Sequence, residues 1–554
     1  MAAYHAAGAP RDLVVDAAAA ALMGRRIRWL GVIIVACLGL VVAQLVNIQL
    51  VKAKQLATSP YNPRVSSQRY DNARGTIYAA DGTVLATSVP TPGGPTSSYP
   101  YHYVRQYPDG PLFADITGYD SPLYYGTSGI EEQYDSYLSA QPQSPQTLSQ
   151  LLFREQLPLT TDNVTLTVEP SLQQAAWNAL TTLPPGAAKD GAVVVLDPKT
   201  GAVLAMVSNP TYDPNAMVST SLSAEQLAYY SYTQRDAEGY IPLRPIATGE
   251  IFFPGSTMKV VTSTAAYNLK PSLADFDYPE QACQTFPDSN KALCDESGPC
   301  GGTMTVMLPE SCDPGYGELG VQLGVATLRE QAELFGYNSV PGIDLPGVVA
   351  SPLVSLPANS QAFQAYTAIG QYGVKATALQ NAMVAEGIAD AGIVMTPHLM
   401  QSINDSQGNL VESYTPKPLP RTASEATAQQ VTSLMEGVVT QPGATASGVG
   451  FPSWLCAAVK TGTAQTSPTQ QVTEDWMIGF APANNPQVAV AVVVPDQYIG
   501  SDGAEVAGPI MKAVLEAAVP ESSVTQPCTV KPPPASTFTA ADATGTGGLF
   551  GAGG

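Results

Sequence analysis

The sequence has 554 residues, of which 45% are hydrophobic, and its formal net charge at pH 7 is −21. This length allows two or three domains, on a prior of about 150 residues for each. The acidic charge argues against a nucleic-acid partner, because phosphate recognition needs clustered lysine and arginine side chains.

The N-terminal region predicts a membrane anchor. Residues 1–24 form an alanine-rich tail, and three arginines precede an uncharged apolar run over residues 29–43 that continues to Leu50. About 20 apolar residues span a bilayer, and the arginines favour a cytoplasmic N-terminus. A cleaved signal peptide is the alternative interpretation, with cleavage after Ala43. We favour an uncleaved, single-pass anchor over residues 25–50, with the rest of the chain outside the cytoplasm.

Residues 51–160, here called the pedestal, predict a small domain without a catalytic signature. Its short extended segments are broken by proline, glycine, tyrosine and serine, with little helical periodicity. The pattern then changes to a predicted helix over residues 171–180 and two apolar strands joined by Lys199-Thr200-Gly201, which we interpret as a hairpin turn. Residues 161–520 therefore predict an α/β domain with an antiparallel sheet flanked by helices.

Ser256 and Lys259 are the strongest catalytic candidates. Lys259 is the only lysine of the sequence with a serine three positions before it. Pro254 and Gly255 break the chain just before, so Ser256 is predicted at the first turn of a helix. Residues three apart share a helix face, which brings the amine against the hydroxyl. A serine is a poor nucleophile until its hydroxyl loses its proton, and a lysine in a desolvated pocket can take that proton. The alternative is a capping serine followed by a surface lysine.

Cysteines are concentrated after the predicted anchor, in a compartment that permits disulfides. Three of them lie in a stretch rich in glycine, proline and aspartate that resembles an insertion, where a bridge would restrain a long loop. Cys312 and Cys456 border other motifs and are equally compatible with buried free thiols. Spacing does not fix the pairing, and neither the cysteines nor the three histidines have the spacing of a zinc site, so no metal is expected. The six cysteines are Cys283, Cys294, Cys300, Cys312, Cys456 and Cys528.

A second catalytic serine has two candidates. The sequence Ser402-Ile403-Asn404 runs into a polar turn over residues 405–409, which favours a structural role. The sequence Ser311-Cys312-Asp313 is the better candidate, and a helical stretch is predicted after it, over about residues 318–335. We therefore select Ser311 and Asp313.

The sequence Lys460-Thr461-Gly462-Thr463 ends an apolar run over residues 455–459, which predicts a buried strand leading to a functional edge. Residues 476–480 and 488–494 predict strands that flank it. Residues 521–554 are rich in proline, threonine, alanine and glycine, and are predicted to be disordered because they cannot bury a core.

The order of these motifs resembles the S-x-x-K, S-D-N and K-T-G signature of β-lactamases and penicillin-binding proteins. The chain is most similar to class B penicillin-binding proteins, of the smaller actinobacterial type. It departs from their pattern at Asp313, where an asparagine is expected, and at Tyr372, where a glycine is usual. The additional matching segments are residues 74–77, 81–82, 126–131, 197–201 and 368–371.

The resemblance implies a serine transpeptidase fold, preceded by a mainly β pedestal and a transmembrane helix. It implies a D,D-transpeptidase that cross-links peptidoglycan stem peptides through an acyl-enzyme on Ser256, needs no cofactor and is the target of β-lactams. Lys259 would deprotonate the nucleophile, Ser311 would relay the proton, and Lys460 would supply positive potential. The implied substrate-binding residues are Asp313, Thr461, Gly462 and Thr463. The implied partner is a glycan polymerase of the RodA/FtsW type.

Two other functions compete with this expectation. A carboxypeptidase or lactamase would pass the acyl group to water, and the anchor and pedestal argue against it. A catalytically impaired scaffold that binds β-lactams is favoured by Asp313, because a carboxylate cannot donate the hydrogen bond that an asparagine amide gives to substrate.

Overall fold

A computed structural model describes residues 12–47, 70–123, 126–142, 159–182, 190–354, 359–466, 472–498 and 500–525. The chain divides into two compact units, residues 1–69 and 70–554. The predicted disordered tail beyond residue 525, Cys528 and the start of the pedestal lie outside the described residues.

The first unit contains one long helix, α1, over Asp12–Val46. Its segment Met23–Leu45 has 23 residues, a mean hydropathy of 2.1 and no buried residues. A helix of this length and composition can cross a membrane, which takes about 20 apolar residues. A signal sequence has the same properties, so the two interpretations of the N-terminus both stand.

The second unit contains the other elements. Its helices are α2 Gly110–Thr117, α3 Gly129–Gln133, α4 Asp135–Leu138, α5 Pro170–Thr181, α6 Leu222–Tyr232, α7 Ile246–Gly249, α8 Met258–Leu269, α9 Met304–Glu310, α10 Asp313–Leu323, α11 Val325–Leu334, α12 Gln361–Ala368, α13 Ala378–Ala389, α14 Glu425–Thr440 and α15 Gly503–Ala518. Its strands are β1 Ile77–Tyr78, β2 Val84–Pro90, β3 Tyr103–Gln106, β4 Asp120–Ser121, β5 Gly126–Thr127, β6 Gln141–Pro142, β7 Leu159–Thr160, β8 Asn163–Leu166, β9 Gly191–Leu196, β10 Val203–Asn209, β11 Asp277–Gln281, β12 Cys283–Gln284, β13 Leu293–Cys294, β14 Cys300–Thr303, β15 Met400–Asn404, β16 Leu410–Ser413, β17 Ala458–Gln465, β18 Val472–Ala481 and β19 Val488–Tyr498.

The larger domain is built on a five-stranded antiparallel sheet in the order β10-β9-β19-β18-β17. Strand β9 is buried on both faces, and its alternating side chains enter two different cores. Val193 and Val195 belong to the core that includes residues of α5 and α15, whereas Val194 belongs to the core that includes residues of α8 and α13. Strands of a sheet that is covered on both faces have continuous apolar sequences, which explains the composition of β9 and β19. The predicted α/β architecture is confirmed.

The strand order corrects one expectation. Residues 476–480 and 488–494 were expected to flank the Lys460 strand, but both lie on the same side of it, in β18 and β19. Within the described residues, strand β17 pairs with β18 alone and ends the sheet. Sequence patterns fix which residues are strands but not the order of strands in a sheet.

A second sheet joins the pedestal to the larger domain. It has six strands in the order β16-β15-β8-β1-β2-β3, and β1 is parallel to β8. The pedestal also contains the helices α2, α3 and α4, which the broken sequence pattern did not predict. Two segments that resemble the family, residues 74–77 and 126–131, are in contact in the pedestal, since Arg74 Nε lies 2.6 Å from Glu131 Oε2. Both side chains are buried, and Arg105 Nε donates to Oε1 of the same carboxylate, which satisfies its charge.

Candidate active site

Ser256 lies at a helix start, as predicted. A 3₁₀ turn over Gly255–Thr257 leads directly into α8. The turn is held by Gly370, whose carbonyl accepts the Gly255 N–H at 3.0 Å. Gly370 has a φ of +81°, and a Cβ atom there would lie 1.9 Å from the Gly255 carbonyl oxygen. Only glycine therefore fits against the turn that carries the nucleophile candidate.

The Lys259 side chain is fully buried, and its amine points to the Ser311-Cys312-Asp313 motif. Its Nζ lies 2.5 Å from Asp313 Oδ1, 2.5 Å from the Ser311 carbonyl oxygen and 3.1 Å from Ser311 Oγ. Among the described contacts, no hydrogen bond joins it to Ser256. The sequence expectation of a direct contact along α8 is therefore not met in this state, because the carboxylate of Asp313 competes for the amine.

Ser311 stands between the two lysines. Its Oγ accepts from Lys259 Nζ and, at 2.9 Å, from Lys460 Nζ. It ends α9 in the left-handed region, with a φ of +63°. This backbone conformation is uncommon for a residue other than glycine and turns the serine side chain away from the helix axis, into the cleft.

The Lys460 amine is fully buried beside this serine. Besides Ser311 Oγ, it donates to the Thr461 carbonyl oxygen at 2.9 Å and lies 3.3 Å from Thr461 Oγ1. Burial, with the neighbouring charge of Lys259, holds the pKa of Lys460 well below the ordinary lysine value, although Asp313 acts in the opposite direction. The positive potential expected of Lys460 is weakened accordingly.

The Thr461-Gly462-Thr463 segment lies on the edge strand β17. A Cβ atom on Gly462 would lie 2.8 Å from Thr257 Cγ2 and 2.9 Å from the Pro254 carbonyl oxygen, so glycine allows the strand to approach the serine turn. Thr463 Oγ1 accepts the Gly503 N–H at 3.1 Å. An edge strand offers unpaired backbone groups to which an extended peptide can add.

Two other motif candidates lie elsewhere. Ser402-Ile403-Asn404 belongs to β15, in the sheet of the pedestal, and is followed by a turn at Asp405. Lys199-Thr200-Gly201 forms the turn between β9 and β10, as predicted, and Lys199 pairs with Asp390 at 2.6 Å. Neither joins the group around Ser256.

Disulfides surround the second motif. Cys283 pairs with Cys294, and Cys300 pairs with Cys312, the middle residue of Ser311-Cys312-Asp313. Cys456 is also disulfide-bonded. The interpretation of Cys312 and Cys456 as free thiols is therefore wrong.

Two residues of the site were missed from the sequence. Asp295 Oδ2 accepts the Asp313 N–H at 3.0 Å, and Thr445 Oγ1 lies 2.7 Å from Thr461 Oγ1. The position of Asp295 between Cys294 and Cys300 was an available signal, because the bridge from Cys300 to Cys312 brings this loop to the motif. Thr445 lies in a loop with no local pattern to distinguish it.

The predicted helix after this motif is also corrected. It begins at Asp313, earlier than about residue 318, and is two helices: α10 and α11 meet at Gly324, whose φ is +79°. The earlier start places the Asp313 carboxylate in the first turn of α10, facing the lysine.

Comparison with known proteins agrees with this geometry. Residues 191–516 match the penicillin binding protein transpeptidase domain, and residues 74–156 match the penicillin binding protein A dimerisation domain. The peptidoglycan D,D-transpeptidase PbpA of Mycolicibacterium smegmatis is 35% identical over 521 residues, which cover 90% of this chain and 100% of that protein. PbpA of Mycobacterium tuberculosis is 34% identical over 518 residues, covering 90% and 99%.

Solved structures give the same result. The ceftriaxone acyl-enzyme of penicillin-binding protein A from M. tuberculosis has a TM-score of 0.70 and 31% identity, and covers 81% of this chain and 99% of that one. Its penicillin G acyl-enzyme has a TM-score of 0.69 and 33% identity, with the same coverage. The chain belongs to the penicillin-binding protein transpeptidase family.

Proposed function

We propose that this protein is a peptidoglycan D,D-transpeptidase in which Ser256 forms the acyl-enzyme. The observation that carries the proposal is the convergence of three separate motifs: Ser256 at a helix start, Ser311 hydrogen-bonded to both lysines, and Thr461-Gly462-Thr463 on the edge strand of the sheet as described. The relatives named above are transpeptidases of this kind or carry β-lactams as acyl-enzymes.

In the proposed acylation, a stem peptide ending in D-alanyl-D-alanine adds along β17. Once Lys259 Nζ is neutral and has turned from Asp313, it takes the proton of the Ser256 hydroxyl, and Oγ bonds to the carbonyl carbon of the penultimate D-alanine. The backbone N–H groups of Ser256 and Thr463 stabilise the oxyanion, each donor contributing about 3 kcal/mol. The C–N bond then breaks, and the proton returns through Ser311 to the amine of the departing D-alanine.

The second half of the reaction transfers the acyl group. An amine from a neighbouring stem peptide attacks the ester carbon and gives up one proton to Lys259. The ester C–O bond then breaks, and Lys259 passes that proton to Ser256 Oγ, which leaves as the hydroxyl. The hydroxyls of Thr461 and Thr463 bind the terminal carboxylate of the donor, since they lie on the edge that the peptide approaches. β-Lactams enter as mimics of the same dipeptide.

Labelling of the full-length protein in detergent with a fluorescent penicillin, followed by mass mapping of the adduct, tests this proposal. We expect the adduct on Ser256 and loss of labelling in Ser256→Ala. Ser402→Ala is the matched control, because Ser402 belongs to the rival motif on β15, and should label normally. An adduct on another serine would overturn the assignment. An unreactive natural protein would favour the scaffold, for which the Asp313–Lys259 pair is the supporting observation.

We also propose that the anchor and pedestal bind a membrane glycan polymerase of the RodA/FtsW type, with the N-terminus cytoplasmic. The support is that the apolar segment Met23–Leu45 has no buried residue, and that no residue of the site described above lies in the pedestal. Replacement of residues 23–45 by an unrelated membrane span should abolish co-purification with the polymerase and leave penicillin labelling intact. Undiminished co-purification would exclude the anchor from the interface.

A further inference from the structure

The loop over residues 283–303, here called the cysteine loop, contacts both walls of the active-site cleft. On one wall, Asp295 Oδ2 accepts the backbone N–H of Asp313 at 3.0 Å. On the other, Glu296 Oε1 accepts from Gln465 Nε2 at 3.0 Å, at the end of β17. Two consecutive carboxylates thus reach the Ser311 motif and the strand that carries Thr463.

The position of Asp295 is restrained from both sides. Cys294, directly before it, is bonded to Cys283, and Cys300, five residues after it, is bonded to Cys312. Its backbone N–H donates to the Ala282 carbonyl at 2.9 Å, and its Oδ1 accepts the Ser297 N–H at 3.0 Å. A side chain held in this way loses little conformational entropy on making its contact with Asp313.

The contact with Asp313 is made at the start of α10, beside the Lys259 amine. Asp313 begins α10, and the first N–H groups of a helix have no partner within the helix. Asp295 supplies that partner from outside. The side chain of the same Asp313 holds the Lys259 amine at 2.5 Å, so a continuous chain of contacts runs from the cysteine loop to the proposed base.

We propose that Asp295 is a positioning residue for the acylation step: through its hydrogen bond to the Asp313 backbone it fixes where Asp313 and Ser311 hold the Lys259 amine relative to Ser256. This inference rests on the proposed function. Asp295 forms no hydrogen bond with either lysine among the described contacts, although its charge also acts on Lys460. Removal of its acceptor should therefore slow acylation without abolishing it.

The test compares second-order rate constants for acylation of the full-length protein by penicillin, with thermal unfolding measured on the same samples. Asp295→Ala removes the acceptor and should lower the rate constant about tenfold, the effect of one hydrogen bond. Asp295→Asn keeps an oxygen that can accept the same N–H and should restore the rate to within about twofold of the natural value. A role limited to the fold would slow acylation equally in any variant of this loop whose unfolding temperature falls by the same amount.

Asp288→Ala is the matched control. Asp288 lies in the same loop, and its Oδ1 accepts the N–H of Ala362 at 3.1 Å, in the first turn of α12. It should lower the unfolding temperature as Asp295→Ala does, with little change in acylation. Equal rates in the natural protein and Asp295→Ala, or equal slowing in both alanine variants, would overturn the inference. An unreactive natural protein would overturn the proposed function together with this inference. Failure of the inference alone requires a natural protein that is acylated by penicillin.

Discussion

Lys259 Nζ and Asp313 Oδ1 lie 2.5 Å apart, and the lysine is fully buried. The residue that departs from the family signature is therefore bonded directly to the proposed base. We therefore expect a substitution of Asp313 to change the rate of acylation.

Asp313→Asn should accelerate acylation by penicillin about tenfold, because it frees Lys259 from its anionic partner and restores an amide donor to the substrate. Stopped-flow measurement of acylation, with mass mapping to show that Ser256 is still modified, checks this. Slower acylation in the asparagine variant would show that the carboxylate has a catalytic role of its own.

Lys460→Arg should be acylated slowly. Burial and Lys259 lower the pKa of Lys460, so its neutral form can exchange a proton with Ser311, whereas a guanidinium stays charged. The natural protein should gain rate as pH rises through this lowered pKa, and the arginine variant should lack that increase. Lys199→Arg, a change in an exposed lysine, should keep the natural profile; an identical profile in Lys460→Arg would refute the relay.

Gly370→Ala should abolish penicillin labelling, because the new Cβ would collide with the Gly255 carbonyl and displace the Ser256 turn. Gly347→Ala is the matched control: Gly347 has the same φ of +81° but nothing within 4 Å of its ideal Cβ. It should cost only the conformational strain, about 1 to 2 kcal/mol of stability. Similar labelling of both variants would contradict the packing argument.

Stability should fall as pH rises towards 8. Burial raises the pKa of Glu474 from 4.5 to about 8 and that of Asp475 from 3.8 to about 7. Between those limits the folded state holds protons that the unfolded state has released, so this stabilisation is complete at low pH and is lost as pH passes the raised values. The unfolding temperature should be higher at about pH 5.5, below both raised values, than at about pH 8.5, above both.

Asp475→Asn isolates one of these two groups. An amide does not titrate, so the variant should show a smaller drop in unfolding temperature between those two pH values. A natural protein that becomes more stable towards pH 8 would contradict the assignment of these buried carboxyls.

Local pattern was sufficient for part of this fold. The apolar composition of β9 and β19 and the breakers around Lys199 predicted a strand hairpin, and Pro254-Gly255 predicted the start of α8. These features depend on neighbours in sequence, where propensity and periodicity act.

Long-range contacts account for what sequence did not predict. The place of β17 at the edge depends on pairings between strands far apart in the chain. The pairing of Lys259 with Asp313 joins residues 54 positions apart, and the approach of Asp295 depends on which cysteines combine. None of these contacts produces a periodic pattern in the sequence. The spacing of the motifs therefore predicted which residues belong to the site but not which of them contact one another.

The six-stranded sheet runs through both the pedestal and the larger domain, although the two match separate family domains. Strands β1, β2 and β3 extend the same sheet as β8, β15 and β16, so a pull on the pedestal would load backbone hydrogen bonds of the larger domain. Excision of β1 would leave β8 with an open edge, a surface prone to aggregation. Residues 70–525 are therefore expected to unfold in one calorimetric transition.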